Sequence, residues 1–286
     1  MEARIVLTHP QLLQYMILFQ DGIFSDLLHA FQERQEIIRS QGLHYSEIFL
    51  GFVVYKRYIL IKLVAQGHLQ LVKKLVNCRP EFLATQNKSQ PEVIDVAAAF
   101  GHLRLIEYFH TNNLGGCTSH AMDHAAAHGY LHIVKYLHEN RREGCSTHAM
   151  DCAAVYGHLE IVKYLHEHRR EGCSEYAMDL AAENGHFEIV KFLHENRAEG
   201  FTMRGIDGAI RNGHHAIVRY LFDHSASGAT ERSLYVASIY GCLEVVQYFQ
   251  TRMTSNNWHG AMSLATLNNQ FHIMKWLQQN KIPTPK

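Results

Sequence analysis

The chain has 286 residues, with Lys plus Arg at 27 and Asp plus Glu at 27, so the formal charge is zero and there is no general electrostatic drive toward nucleic acid or anionic membranes. With 47% hydrophobic residues, 19% charged and five prolines, it has material for a buried core and none of the bias of a disordered segment. A membrane span is not expected either, because the best apolar run, Ile48 to Tyr55, is broken by Lys56, Arg57 and Lys62 well short of the roughly 18–20 residues a span requires.

At the N-terminus, Met1-Glu2-Ala3-Arg4 leads into a stretch interrupted by His9, Gln11 and Gln14, unlike the charged start and unbroken apolar core of a signal peptide. The expectation is an intracellular protein, cytoplasmic or alternatively nuclear. Thr8 to Gln20 and Ser25 to Arg39 read as two capped helices outside any repeat. Residues 1–50 are therefore expected to form a helical cap on an array occupying residues 51–286, since a stacked array must cover its first apolar face.

From Gly67 a Gly-His-Leu landmark, or a close variant, recurs at Gly101, Gly129, Gly157, Gly185, Gly213 and Gly241, with Asn269 in the eighth place. The first interval is 34 residues and the six that follow are 28 each, which is the signature of a repeat array, regular over about residues 91–280. The surplus of the first interval falls between Asn77 and Pro91 and reads as a surface loop.

Each regular unit predicts two helices. Thr118, Ser146, Ser174, Thr202 and Thr230 stand where the first helix needs an N-cap. Met150, Ala153 and Ala154, matched one unit away by Met122/Ala125/Ala126 and Met178/Ala181/Ala182, give that helix a narrow face of small residues that allows close backbone approach. The landmark glycine makes the turn, and Leu159, Ile161, Val162, Tyr164 and Leu165 give the second helix a broad apolar stripe. Gly116, Gly144, Gly172, Gly200 and Gly228, with Asn256 last, are expected to close the second helices in a left-handed conformation. An aromatic column, Tyr108, Tyr136, Tyr164, Phe192, Tyr220, Tyr248 and Trp276, is expected to be buried between units. The fold class is thus all-α, a solenoid of stacked helix–turn–helix repeats.

The Gly-His-Leu-Glu-Ile-Val-Lys-Tyr-Leu second helix at 157–165, preceded by the Ala153-Ala154 pair, resembles the ankyrin repeat over roughly residues 60–280, most closely over 117–224. That resemblance implies a protein-binding scaffold without catalysis, cofactor or metal. Two departures have consequences. The period is 28 where ankyrin repeats run to about 33, and the missing residues are those of the projecting hairpin finger, so an all-helical array is expected. The family's Thr-Pro-Leu-His turn is replaced by His-Ala-Met-Asp at 148–151 and Tyr-Ala-Met-Asp at 176–179, so its hydrogen bonding is absent or rebuilt around Asp123, Asp151, Asp179 and Asp207.

In ankyrin arrays the two residues before the landmark glycine lie on the concave recognition face. Carried over, these are Ala127/His128, Val155/Tyr156, Glu183/Asn184, Arg211/Asn212 and Ile239/Tyr240. The candidate partner-binding residues are His128, Tyr156, Glu183, Asn184, Arg211, Asn212 and Tyr240. Tyr156, Arg211 and Tyr240 are the expected anchors, because interface energy concentrates in Tyr, Trp and Arg. The partner is expected to be another protein, bound by a monomer. Separately, Leu7-Thr8-His9-Pro10-Gln11-Leu12-Leu13 resembles the start of an F-box, which implies an alternative in which residues 1–60 dock a ubiquitin-ligase core and the array recognises its substrate.

Other chemistry is excluded by spacing. Cys117-x-x-His120 and Cys145-x-x-His148 look like halves of a zinc site of a metal-dependent enzyme, yet packed helices about 8–10 Å apart cannot converge four ligands on one ion, and Tyr176 replaces the third histidine. The same separation argues against disulfides among Cys117, Cys145 and Cys173. His102, His158, His186 and His214 follow the landmark, and His138, His166 and His194 follow the second-helix leucine; groups recurring once per unit fit hydrogen bonding in the turns and at helix ends. Arg141-Arg142, Arg169-Arg170 and Arg197 form a basic ridge, but Glu139, Glu143, Glu167, Glu171, Glu195 and Glu199 interleave with it, so no nucleic acid is expected there.

Overall fold

In the computed structural model of the chain, residues 57, 59–78, 80–84, 91–224, 230–252 and 258–280 are described. The cap expected over 1–50, the F-box-like segment, Gly228 and Asn256 lie outside them. The described residues form helices joined by turns and contain no strand, as the short period requires.

After a helical stretch at 59–65 come α1 (Leu69–Cys78) and a 3-10 turn (Pro80–Leu83), and then seven helix pairs: α2 (Val93–Ala99) and α3 (Leu103–Thr111), α4 (Ser119–Ala127) and α5 (Leu131–Asn140), α6 (Thr147–Val155) and α7 (Leu159–His168), α8 (Glu175–Glu183) and α9 (Phe187–Asn196), α10 (Met203–Arg211) and α11 (His215–His224), α12 (Glu231–Tyr240) and α13 (Leu243–Arg252), α14 (Trp258–Leu267) and α15 (Phe271–Gln279). The caps form as the sequence predicts. Ser146, Ser174 and Thr202 accept from the N–H groups of His148, Tyr176 and Arg204 at 3.1–3.3 Å, and Thr118 and Thr230 accept from His120 and Ser233. Every described landmark glycine is left-handed, with φ from 74° to 84°, and Asn269 takes the same place at 57°.

The fold divides into two units. The first comprises the described residues up to Ala125 together with Lys135–Gly144, and the second Ala126–Val134 together with the described residues from Cys145 onward. In the first, α2 packs on α3, and Arg57, almost wholly buried, donates to the carbonyls of Leu83 and Pro91 at 2.7 Å and pairs with Glu92 at 3.3 Å. Within the surplus of the first interval, Leu83 and Pro91 are therefore held by Arg57 and Phe82 is buried, where the sequence suggested only a surface loop.

In the second unit the first helices α6, α8, α10, α12 and α14 pack one against the next, and the second helices α7, α9, α11, α13 and α15 form a row behind them. Met150, Ala153 and Ala154 and their equivalents up to α12 are buried at the first seam, and Ile161, Val162 and Leu165 with their equivalents up to α13 at the second. At the α8–α10 seam the helices approach closely: a Cβ on Gly205 would fall 2.8 Å from the Asp179 Cα, and one on Gly208 would fall 2.9 Å from the Glu183 Cβ.

Two expectations are corrected. The aromatic column is half-buried, because the aliphatic residues beside it fill the core; its rings stand edge-on to the histidine of the preceding repeat, as in His110–Tyr136, His166–Phe192 and His194–Tyr220. The second helices also end before their glycines. α7 and α9 stop at His168 and Asn196, where Arg169 and Arg197 turn extended, and Gly144, Gly172 and Gly200 serve instead as left-handed residues of the following link. In the link after α3 that role falls to Asn113 and Gly115, and Gly116 does not take it.

Candidate protein-binding face

At three joints the first helices are held in register by polar bonds running from one repeat to the one before it. Asp95 Oδ1 accepts from the Thr118 N–H at 2.8 Å, and its Oδ2 accepts from the Thr118 hydroxyl at 2.6 Å. Asp151 does the same with Ser174 (2.7 and 2.8 Å), and Asp179 with Thr202. One carboxylate thus satisfies both donors of the next N-cap residue, and this is how the turn bonding is rebuilt; sequence reasoning had named Asp151 and Asp179 and missed Asp95. Asp207 departs from the pattern: its Oδ2 accepts from Arg232 Nε at 2.9 Å, and its buried Oδ1 has no hydrogen-bond partner. Burial raises the Asp179 carboxyl above its ordinary pKa, against the lowering effect of the Thr202 bonds.

A second set of bonds fixes the turns. His102, His158 and His186 each place Nε2 2.9–3.2 Å from a backbone carbonyl of the preceding repeat, those of Ala65, Ala127 and Val155. A carbonyl can only accept, so Nε2 carries the proton. Gln270 donates in the same way to Ile239, and Cys242 to Ile210. These histidines thus serve the joint between repeats and not the turn in which they sit.

On this frame, the candidate residues fall into three groups. Arg211 lies 3.9 Å from Glu183 and 5.6 Å over the Tyr240 ring, so the structure brings these three together. Asn184 and Asn212 are exposed, but their carboxamides donate to the carbonyls of Val155 and Glu183 at 2.8–2.9 Å, which gives both a role at the joints. Tyr156 is 61% exposed at the C-terminal end of α6, and His128 stacks on Tyr130 with ring centroids 6.0 Å apart. Sequence reasoning passed over the opposite end of the same helices, where Tyr176 is 50% exposed and Arg204 lies 5.8 Å over its ring. The signal that could have found it is the 28-residue column His120, His148, Tyr176, Arg204 and Arg232, which passes from His through Tyr to Arg while the scaffold stays constant.

The basic ridge has a different explanation. Arg141 pairs with Glu143 at 2.5 Å, Arg169 with Glu171 and Arg197 with Glu199, while Glu143 and Glu171 also accept the N–H of the intervening arginine. Each arginine faces a thiol of the preceding link: Cys117, Cys145 and Cys173 respectively. Burial, aided by Asp95, pushes the Cys117 thiol up to about 12, and burial aided by Glu199 pushes Cys173 to about 11, so neither is a thiolate nucleophile at neutral pH.

Among the described residues no helix is long and apolar enough to cross a membrane, and no three His, Cys, Asp or Glu side chains are grouped to hold a metal ion. No curated protein matches the chain in a sequence comparison. Residues 122–204, from the buried face of α4 to the first turn of α10, match a family model described as ankyrin repeats (3 copies), and over this stretch the chain is similar to an ankyrin array.

Proposed function

We propose that this protein is a non-catalytic scaffold that binds a partner protein through the outer face of its first helices, with Tyr156, Arg211 and Tyr240 as anchors and His128, Glu183, Asn184 and Asn212 around them. Ankyrin repeats are general protein–protein interaction modules. The observation that carries the finer reading is the group formed by Arg211, Glu183 and Tyr240. Here a guanidinium lies over an aromatic ring that is 48% exposed, on helices held rigid from below by repeat-to-repeat bonds. Exposed aromatic and arginine side chains on a preorganised surface lose little entropy on binding and supply most of the energy of typical interfaces. Glu183 supports the arginine, and the two asparagines keep the helix ends in place.

The test is affinity capture from the native cell with the intact chain beside a Tyr156→Ala/Arg211→Ala/Tyr240→Ala variant. The variant should lose the captured protein while its thermal midpoint stays within a few degrees of the parent, because the Tyr156 and Tyr240 rings and the Arg211 guanidinium stand outside the packed seams. Undiminished capture would refute the assignment of these anchors.

A further inference from the structure

A cleft of about 540 Å³ opens on the first-helix face of the second unit, lined by Glu183, Thr202, Met203, Arg204, Asp207, Arg211 and Arg232. Its charged groups are three guanidiniums against two carboxylates. Arg211 lies 3.9 Å from Glu183, and Arg232 holds Asp207 at 2.9 Å, so the charge of Arg204 is left uncompensated by the carboxylates of the cleft. Exposed tyrosines stand near both sides, Tyr176 under Arg204 and Tyr240 under Arg211.

Asp207 adds an independent observation. Its side chain is 5% exposed, and one oxygen is buried without a hydrogen-bond partner, whereas Asp95, Asp151 and Asp179 have both oxygens filled by the next N-cap residue. At this joint the corresponding hydroxyl, that of Thr230, is engaged with Ser233. A buried acceptor left unfilled is costly, so the site favours a ligand that brings a donor. Arg232, which binds the other oxygen, is 74% exposed on the same cleft.

We propose that this cleft binds an acidic peptide segment of the partner protein. Carboxylates of the segment pair with Arg204 and Arg232, its main chain runs between Tyr176 and Tyr240, and a peptide N–H or a serine hydroxyl supplies Asp207 with the donor that Thr118, Ser174 and Thr202 supply to the sister aspartates. Arginine forks match carboxylates in a bidentate manner, and a net positive cleft selects against basic segments. The inference rests on the reading of the first-helix face as the docking surface and adds the chemistry of what docks.

The test uses fluorescence anisotropy on the full chain, with two labelled probes: a peptide of alternating Glu and Ser, and its counterpart of alternating Lys and Ser. The Glu/Ser peptide should bind and the Lys/Ser peptide should not. Arg204→Ala, whose side chain stands outside the buried core, should weaken the Glu/Ser peptide by about tenfold or more, as expected for loss of a charge-assisted bond. Arg204→Lys should recover part of that loss, and Glu183→Gln, which removes a negative charge from the cleft, should tighten binding. Arg142→Ala, which is not among the residues that line the cleft, should leave it unchanged. Equal binding of the two peptides, or an Arg204→Ala variant as tight as the parent, overturns the proposal. If either occurs while the triple variant still loses its captured protein, the docking face stands and only its acidic preference falls; if the peptides behave as expected and capture is undiminished, the anchors fall and the cleft stands.

Discussion

At the scale of single residues, the landmark glycine serves two ends, and only one of them can be read from the sequence. The left-handed turn was legible because a glycine, or finally an asparagine, recurs at one fixed place. The second reason comes from the neighbouring repeat: the His186 ring lies 2.7 Å from where a Cβ on Gly157 would sit, while nothing lies within 4 Å of that position on Gly213. Forcing a side chain into the left-handed region costs about 1–2 kcal/mol at either site. Gly157→Ala must in addition displace a ring hydrogen-bonded to Val155, so it should lose about 1 kcal/mol more than Gly213→Ala in urea denaturation. Equal losses would show that the ring adjusts freely. The aspartates were legible in the same partial way, since their recurrence marked them but their donors lie 23 residues further along the chain.

At the scale of the helix, the misplaced ends of α7 and α9 are instructive. A glycine after a helical pattern ordinarily marks a left-handed cap. Here an Arg-x-Glu pair closes the link first, with the arginine already extended, and the pairing of residues two apart leaves no helical periodicity to detect. The second helices also carry an unfilled polar site. His166 Nδ1 is buried without a hydrogen-bond partner beside the Phe192 ring, whereas one repeat later His194 Nδ1 lies 3.1 Å from the Tyr220 hydroxyl. Phe192→Tyr should bring the missing hydroxyl to His166 and stabilise the fold by about 1 kcal/mol, read as a higher thermal midpoint. An unchanged or lower midpoint would mean the added oxygen finds no room. The candidate binding face was half legible at this scale, because the ends of the first helices nearest the landmark were chosen by resemblance. The opposite ends, with Tyr176, Arg204 and Arg232, become neighbours only when the helices pack.

For the whole molecule, the recurring links set the response to acid. Glu199 is held below the usual carboxylate range by the Arg197 hydrogen bond; at Glu143 and Glu171 partial burial pushes upward, but the bonds from Arg141 and Arg169 prevail. A carboxylate whose folded pKa is depressed contributes stability above its unfolded value, near 4.5, and loses that contribution as pH falls through the lower folded value. Asp179, raised by burial, acts in the opposite sense, and three glutamates outweigh one aspartate. The urea midpoint should therefore drop as pH falls below about 4.5, and a Glu143→Gln/Glu171→Gln/Glu199→Gln variant should show a flatter profile with a lower midpoint at pH 7. A parent profile that is flat down to pH 3.5 would contradict this. Composition had put the overall charge at zero, and it could not reveal that the balance is struck link by link, between an arginine and the glutamate two residues after it.

The bonds that His102, His158, His186 and Gln270 send backward all point the same way along the chain, each from a later repeat to a carbonyl 31 to 37 residues earlier. As the polypeptide leaves the ribosome, a repeat therefore emerges with that carbonyl still lacking its donor, and closure waits until roughly one more repeat has been synthesised. Growth of the native structure is directional in this sense: each new segment locks its predecessor, and the most recently made segment is always the loosest.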